Sequence, residues 1–184
     1  MRITGGTVRG QVLQVPKNLD IRPTTDRTRE AVFSMLGSMA ESWDRCLDLY
    51  AGTGALGLEA LSRGAGWVDF VEKEHRNCDM IKQNAKKLDF NGVSHTYCFD
   101  VNRAFSEIKD QYDIIFMDPP YADKTIESVI ARIAGSSLIK ENTIVVVSHS
   151  SRVPLAGQYG RLNVVKEKRY GDTAISIYSM EVQN

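Results

Sequence analysis

Cysteine is scarce in this chain, and the three present, Cys46, Cys78 and Cys98, are widely separated. That spacing offers neither a disulfide framework nor the paired thiols of a metal site, so no metal is expected. The cysteines read as core thiols in a reducing compartment. No apolar run approaches the length of a membrane span, and the amino terminus carries no apolar signal core. A soluble, cytoplasmic protein with no membrane partner is the expectation. Net charge is lacking too. Twenty-three basic residues balance 23 acidic ones, which argues against bulk coating of nucleic acid and confines any such contact to a local patch. With 42% hydrophobic and 25% charged residues among 184, the chain fits one domain with ample apolar sequence for a core.

What is present is an alternation. Short apolar runs, such as Val68-Asp69-Phe70-Val71, Ile114-Ile115-Phe116-Met117 and Thr143 to Val147, alternate with amphipathic stretches of helical length. This pattern marks an α/β fold with a mostly parallel sheet covered on both faces. His75 to Asp89 places Cys78, Ile81, Ala85 and Leu88 at helical spacing, and Asn91-Gly92 ends it. A helix is expected from about Lys124 to Ala134, and strands from Ser94 to Phe99 and Tyr112 to Met117. Leu162 to Tyr170 and Ala174 to Met180 read as an antiparallel hairpin turning at Gly171-Asp172.

The strand ending at Asp48 runs into Ala51-Gly52-Thr53-Gly54-Ala55-Leu56-Gly57 and then a helix start. Glycines in such a turn let a ligand approach the backbone closely, a device shared by dinucleotide binders. Asp48 discriminates between ligands, because a carboxylate beside the turn repels a pyrophosphate and attracts a cation. S-adenosylmethionine is cationic at its ammonium and sulfonium and has no phosphate. Glu72 ends the next strand, where an acid can bind both ribose hydroxyls of either ligand class. With Asp100 and Asp118, these acids sit at strand ends that open onto one edge of the sheet, the edge where such folds bind ligands.

Asp118-Pro119-Pro120-Tyr121 closes the fourth apolar run. Read alone it is equally a strand followed by a proline turn. Its chemistry nevertheless suits an exocyclic amino group, whose lone pair is delocalised into a ring. The Asp118 carboxylate and the Pro119 carbonyl would accept its N–H bonds and turn the nitrogen toward an electrophile, while Tyr121 stacks on the base.

Residues 1 to 38 differ in kind. Gly5-Gly6 and Gly10 with Val12, Leu13 and Val15 suggest a small β-hairpin, and Arg27 to Leu36 an amphipathic helix ended by Gly37. Arg2, Arg9, Arg22, Arg27 and Arg29 concentrate basic charge here, so a phosphate-contacting face is expected. Lys166, Lys168 and Arg169, on the later hairpin, read as solvated surface.

Taken together, Arg22-Pro-Thr-Thr-Asp-Arg-Thr-Arg-Glu30, the Asp48 to Ala65 stretch, Val71-Glu-Lys73 and Asp118-Pro-Pro-Tyr121 resemble the bacterial small-subunit ribosomal RNA guanine-N2 methyltransferases of the RsmD type. The resemblance runs from Arg2 to about Met180. The glycine loop and the Asp-Pro-Pro-Tyr segment mark the reaction class, and the Arg-Pro-Thr-Thr-Asp-Arg stretch points to this family. Gln11, Tyr50 and Thr53 depart from its usual pattern. The resemblance implies a Rossmann-like class I methyltransferase fold with a seven-stranded sheet, residues 39–184 forming the core of a single domain. It implies that Asp48, Gly52 and Gly54 hold the methionine part of S-adenosylmethionine, Glu72 the ribose and Asp100 the adenine amino group, with Ala51 also at the cofactor and Asp118 to Tyr121 receiving the guanine. The implied partner is ribosomal RNA, naked or in a small-subunit assembly intermediate. A DNA amino-methyltransferase uses the same four residues, and a non-catalytic S-adenosylmethionine or RNA-binding module is the alternative from a different class.

Overall fold

The computed structural model describes residues 1–16 and 25–180, so Arg22 lies outside the described residues. In chain order the elements are α1 (Asp26–Gly37), β1 (Arg45–Leu49), α2 (Ala55–Ser62), β2 (Trp67–Glu72), α3 (His75–Lys87), β3 (Ser94–Cys98) and α4 (Val101–Glu107). β4 (Tyr112–Met117), α5 (Ile126–Gly135), β5 (Ile139–Ser150), β6 (Gln158–Tyr159), β7 (Leu162–Tyr170) and β8 (Thr173–Met180) follow. They build one sheet in the order β3-β2-β1-β4-β5-β8-β7-β6, parallel through β5 and antiparallel beyond it. The seven expected strands are joined by the two-residue β6 at one edge. Helix α4 and strand β6 are too short to register as a period in the sequence.

Side chains alternate along the strands and divide the core into two clusters. Cys46, Ile114, Phe116, Ile144, Val146, Ile175 and Ile177 face α1, α2 and α3. Leu47, Leu49, Ile115, Met117, Val145 and Val147 face α4 and α5. Each such fully buried side chain contributes about 1.5–3 kcal/mol. The middle strands are apolar on both faces because helices cover both. Helix α1 lies over the first face, where Phe33 packs against Phe116 at a ring separation of 5.6 Å.

The amino-terminal segment is hairpin-like, with one bridge, Arg2 to Val12. It is fastened to α2: the backbone N–H groups of Thr7 and Val8 donate to the Ser62 carbonyl and hydroxyl at 2.7 and 3.1 Å. At the start of the strands, Asp69 accepts from the Tyr112 hydroxyl at 2.7 Å and the Trp67 indole at 2.8 Å, and pairs with Arg45. That knot closes one end of the sheet and leaves the carboxyl ends of the strands for ligands. Cys78 and Cys98, expected as separate core thiols, are instead joined in a disulfide, their Cα atoms 5.9 Å apart. Helix α3 runs back against the strands it connects, which brings its first turn level with the last residue of β3. Among the described residues only Cys46 is a free, buried thiol. No helix among them is long and apolar enough to cross a membrane.

Candidate active site

Two cavities open at the carboxyl ends of the strands. The larger, about 460 Å³, is lined by Asp48, Ala51, Gly52, Glu72, Asp100 and Asp118 among others. The smaller, about 360 Å³, lies under the first turn of α1 and the β7–β8 turn. Asp118 lines both.

Asp48 is almost completely buried, and its carboxylate accepts the Gly57 N–H at 2.9 Å. Gly57 is in the first turn of α2, whose N-cap, Gly54, has no side chain to offer. Asp48 therefore caps the helix from the neighbouring strand while facing the cavity. The contact requires α2 to lie close on β2. A Cβ at Gly57 would fall 2.3 Å from a Phe70 ring carbon. Burial pushes the Asp48 carboxyl well above the usual range, and the charges of Asp118 and Glu72 push the same way, while the Gly57 hydrogen bond opposes them. Such a carboxylate gains from a cation brought into the cavity.

Glu72 accepts from the Gly52 N–H at 2.8 Å and the Glu74 N–H at 2.9 Å, which fixes its carboxylate against the loop. Asp100 caps α4 through Asn102 with one oxygen. Ala51 donates to the Val71 carbonyl, tying the loop to β2. Gly54 does not line the cavity. Its φ of +79° and a would-be Cβ 3.2 Å from Ile81 explain the glycine structurally. Tyr50, which does line it, holds the left-handed φ of +59°, uncommon for a bulky residue and typical of functional turns.

After β4, Pro120 lines the larger cavity and Tyr121 the smaller, while Pro119 is buried and lines neither. The Tyr121 ring spans toward the hairpin, its hydroxyl hydrogen-bonded to Thr173. Thr28 and Ser148 contribute hydroxyls to the smaller cavity, and the exposed Arg27 and Arg169 are also on its wall. Arg169, expected as solvated surface, is exposed and also lines the smaller cavity. Its position depends on the turn of the hairpin, which charge patterning does not report. Ser148 follows the apolar run Val145-Val146-Val147, but the run alone does not single it out.

One arginine of the expected RNA face is elsewhere. Arg29 has no exposed surface; it pairs with Asp26 at 2.8 Å and Glu59 at 3.7 Å and donates to the Arg2 carbonyl. It is an internal strut, because α1 packs that side of its helix against α2 and the amino-terminal segment. Arg2 and Arg9 are exposed, Arg2 lying 3.7 Å from Asp26.

Known proteins are similar to this chain over nearly its whole length. A family model described as "Conserved hypothetical protein 95" matches residues 1–179. The Bacillus subtilis protein YlbH is 32% identical over 97% of this chain and 98% of its own length. Ribosomal RNA small subunit methyltransferase D of Escherichia coli K12 is 30% identical, covering 100% of this chain and 91% of the relative. The solved structure of yhhF from Escherichia coli superposes with a TM-score of 0.86 at 30% identity, covering 100% of this chain and 99% of that one.

Proposed function

The chain belongs to the family described as conserved hypothetical protein 95, and from that premise we propose that it is an S-adenosylmethionine-dependent methyltransferase acting on the N2 amino group of a guanine in small-subunit ribosomal RNA. The observation that carries the reading is that Asp118 stands where two cavities meet. One suits a cationic nucleoside and the other a flat base, so a group between them can touch the atoms that react.

The residues fit the cofactor. Asp48 offers a buried carboxylate for the ammonium, Glu72 an acid for the ribose and Asp100 an acceptor for the adenine amino group, with Ala51 and Gly52 bringing the backbone close. The N–H groups of Gly52 and Gly57 are already taken by Glu72 and Asp48, so they are not offered to a pyrophosphate. When bound, S-adenosylmethionine supplies a methyl group on an activated sulfonium, and the transfer needs no metal.

The protein's part is positioning and electrostatics. Asp118 accepts an N–H of the amino group, holds its lone pair toward the methyl, and takes the proton after transfer, directly or through water. Pro120 stiffens the turn and Tyr121 stacks on the base, while the buried Pro119, which lines neither cavity, fixes the backbone between Asp118 and Pro120. The base reaches this pocket by turning out of its helix. Arg2, Arg9 and Arg27, with Arg22 by its place in the sequence, contact phosphates of an RNA that is naked or in a partly assembled subunit. Such a substrate places the protein in the cytoplasm.

Mass spectrometry of nucleosides from small-subunit ribosomal RNA, with and without the gene, tests this. N2-methylguanosine should fall by one residue per subunit when the gene is removed. A missing methyl on another base, or on DNA, would replace the guanine reading, and an unchanged profile would leave a binding module.

A further inference from the structure

Ser148 is 5% exposed, and among the described residues its hydroxyl makes no hydrogen bond, although it lines the smaller cavity. The hydroxyl is not shut off from solvent but opens into the cavity, where water or a ligand is its partner. The other hydroxyls on the cavity wall bond elsewhere, Thr28 to Thr25 and Tyr121 to Thr173. The register shows what the hydroxyl is set beside. Met117 of β4 pairs with Val147 of β5, so Asp118 and Ser148 are the next residues on adjacent strands. Ser148 alternates with Val147 and shares the face of Val146, the face covered by α1. Adjacent strands lie about 4.8 Å apart, a spacing comparable to the width of a purine's Watson–Crick edge.

Resting on the guanine reading above, we infer that Ser148 determines base specificity by donating its hydroxyl to guanine O6 while Asp118 engages the N2 amino group. The two ends of guanine's edge are an amino donor and a carbonyl acceptor, matching a carboxylate and a hydroxyl side by side. Adenine, held by its own amino group, turns C2–H toward Ser148 and leaves the hydroxyl buried and unpaired, so it is rejected. The cavity is graded to match: Ser148 is buried, whereas Arg27 and Arg169 on its wall are exposed. A base would enter first and its phosphates would stay with the arginines.

The test compares the full-length protein and Ser148→Ala on a synthetic RNA spanning the mapped target, carrying either guanosine or 2-aminopurine riboside, which keeps the amino group and lacks O6. On guanosine, Ser148→Ala should lower kcat/KM roughly ten- to a hundredfold, with the melting temperature and the S-adenosylmethionine affinity by calorimetry unchanged. On 2-aminopurine the wild type should fall by the same factor and the variant should lose nothing further. Equal activity of variant and wild type on guanosine overturns the inference, as does a Ser148→Ala penalty that persists in full on 2-aminopurine or one traced to weaker cofactor binding. A wild type that methylates no guanine in this RNA, whether naked or reconstituted into a partly assembled small subunit, is a separate result and defeats the guanine reading itself.

Discussion

The Arg29 guanidinium lies 3.7 Å from the Glu59 carboxylate, and neither side chain reaches solvent. Glu59 also accepts from Thr4 and Arg63, so one carboxylate joins α1, α2 and the amino-terminal segment. Removing one partner of a buried pair strands the other's charge at a cost of about 3–5 kcal/mol. Arg29→Ala should therefore lower stability by about that amount in chemical denaturation. A variant as stable as wild type would mean that water or rearrangement replaces the pair.

Arg27, two residues earlier, is exposed and on the wall of the smaller cavity. Arg27→Ala should leave the denaturation midpoint unchanged and reduce the salt dependence of RNA binding by about one unit of slope. Binding measured from low to high salt checks this, and an unaltered slope would remove Arg27 from the RNA face.

Asp118→Ala should reduce methyl transfer by about a hundredfold or more while cofactor affinity is retained, because the residue acts on the amino group and on its proton. A labelled-methyl assay beside calorimetry separates the two effects. Near-normal turnover would assign the amino group to another acceptor.

Helix α2 touches β2 so closely that Gly57→Ala must shift Phe70 or the helix. The overpacking should cost about 1–3 kcal/mol. It should also weaken S-adenosylmethionine binding, because displacing the Gly57 N–H frees Asp48 from its cap. Unchanged affinity in a folded variant would show that the cap does not hold Asp48 for its ligand.

Asp48 gives a pH dependence with a definite sign. Its carboxyl titrates above the ordinary 3.8 because burial disfavours its charge. The folded protein therefore holds this proton more tightly than the unfolded chain. The group's contribution to stability is greatest below the ordinary carboxylate value and is lost as pH rises toward the raised one. A cationic ligand favours the ionised form, so binding releases a proton, and affinity should weaken as pH falls below the raised value. Calorimetry in buffers of different ionisation heat should show this release in wild type and its loss in Asp48→Asn. Equal proton release in both would place the linkage at another residue.

Much of the fold was legible because it rests on periodicity. Apolar runs marked the central strands, and Gly171-Asp172 marked the β7–β8 turn to the residue. Asp48, Glu72, Asp100 and Asp118 were legible as strand-end acids that converge on one cavity. What failed depends on packing between distant segments. Nothing local separates Arg27 from Arg29, yet the helix turns one outward and the other inward. The Cys78–Cys98 pairing follows from the path of α3. Ser148 gains meaning only from its register with β4.

Asp118 belongs to both cavities, so the two meet at one residue. An inhibitor could exploit this by coupling an adenosine-like head to a guanine-like head through a tether of a few atoms. Occupying both compartments at once, it would owe its selectivity to their meeting at Asp118, which proteins binding either half alone need not share.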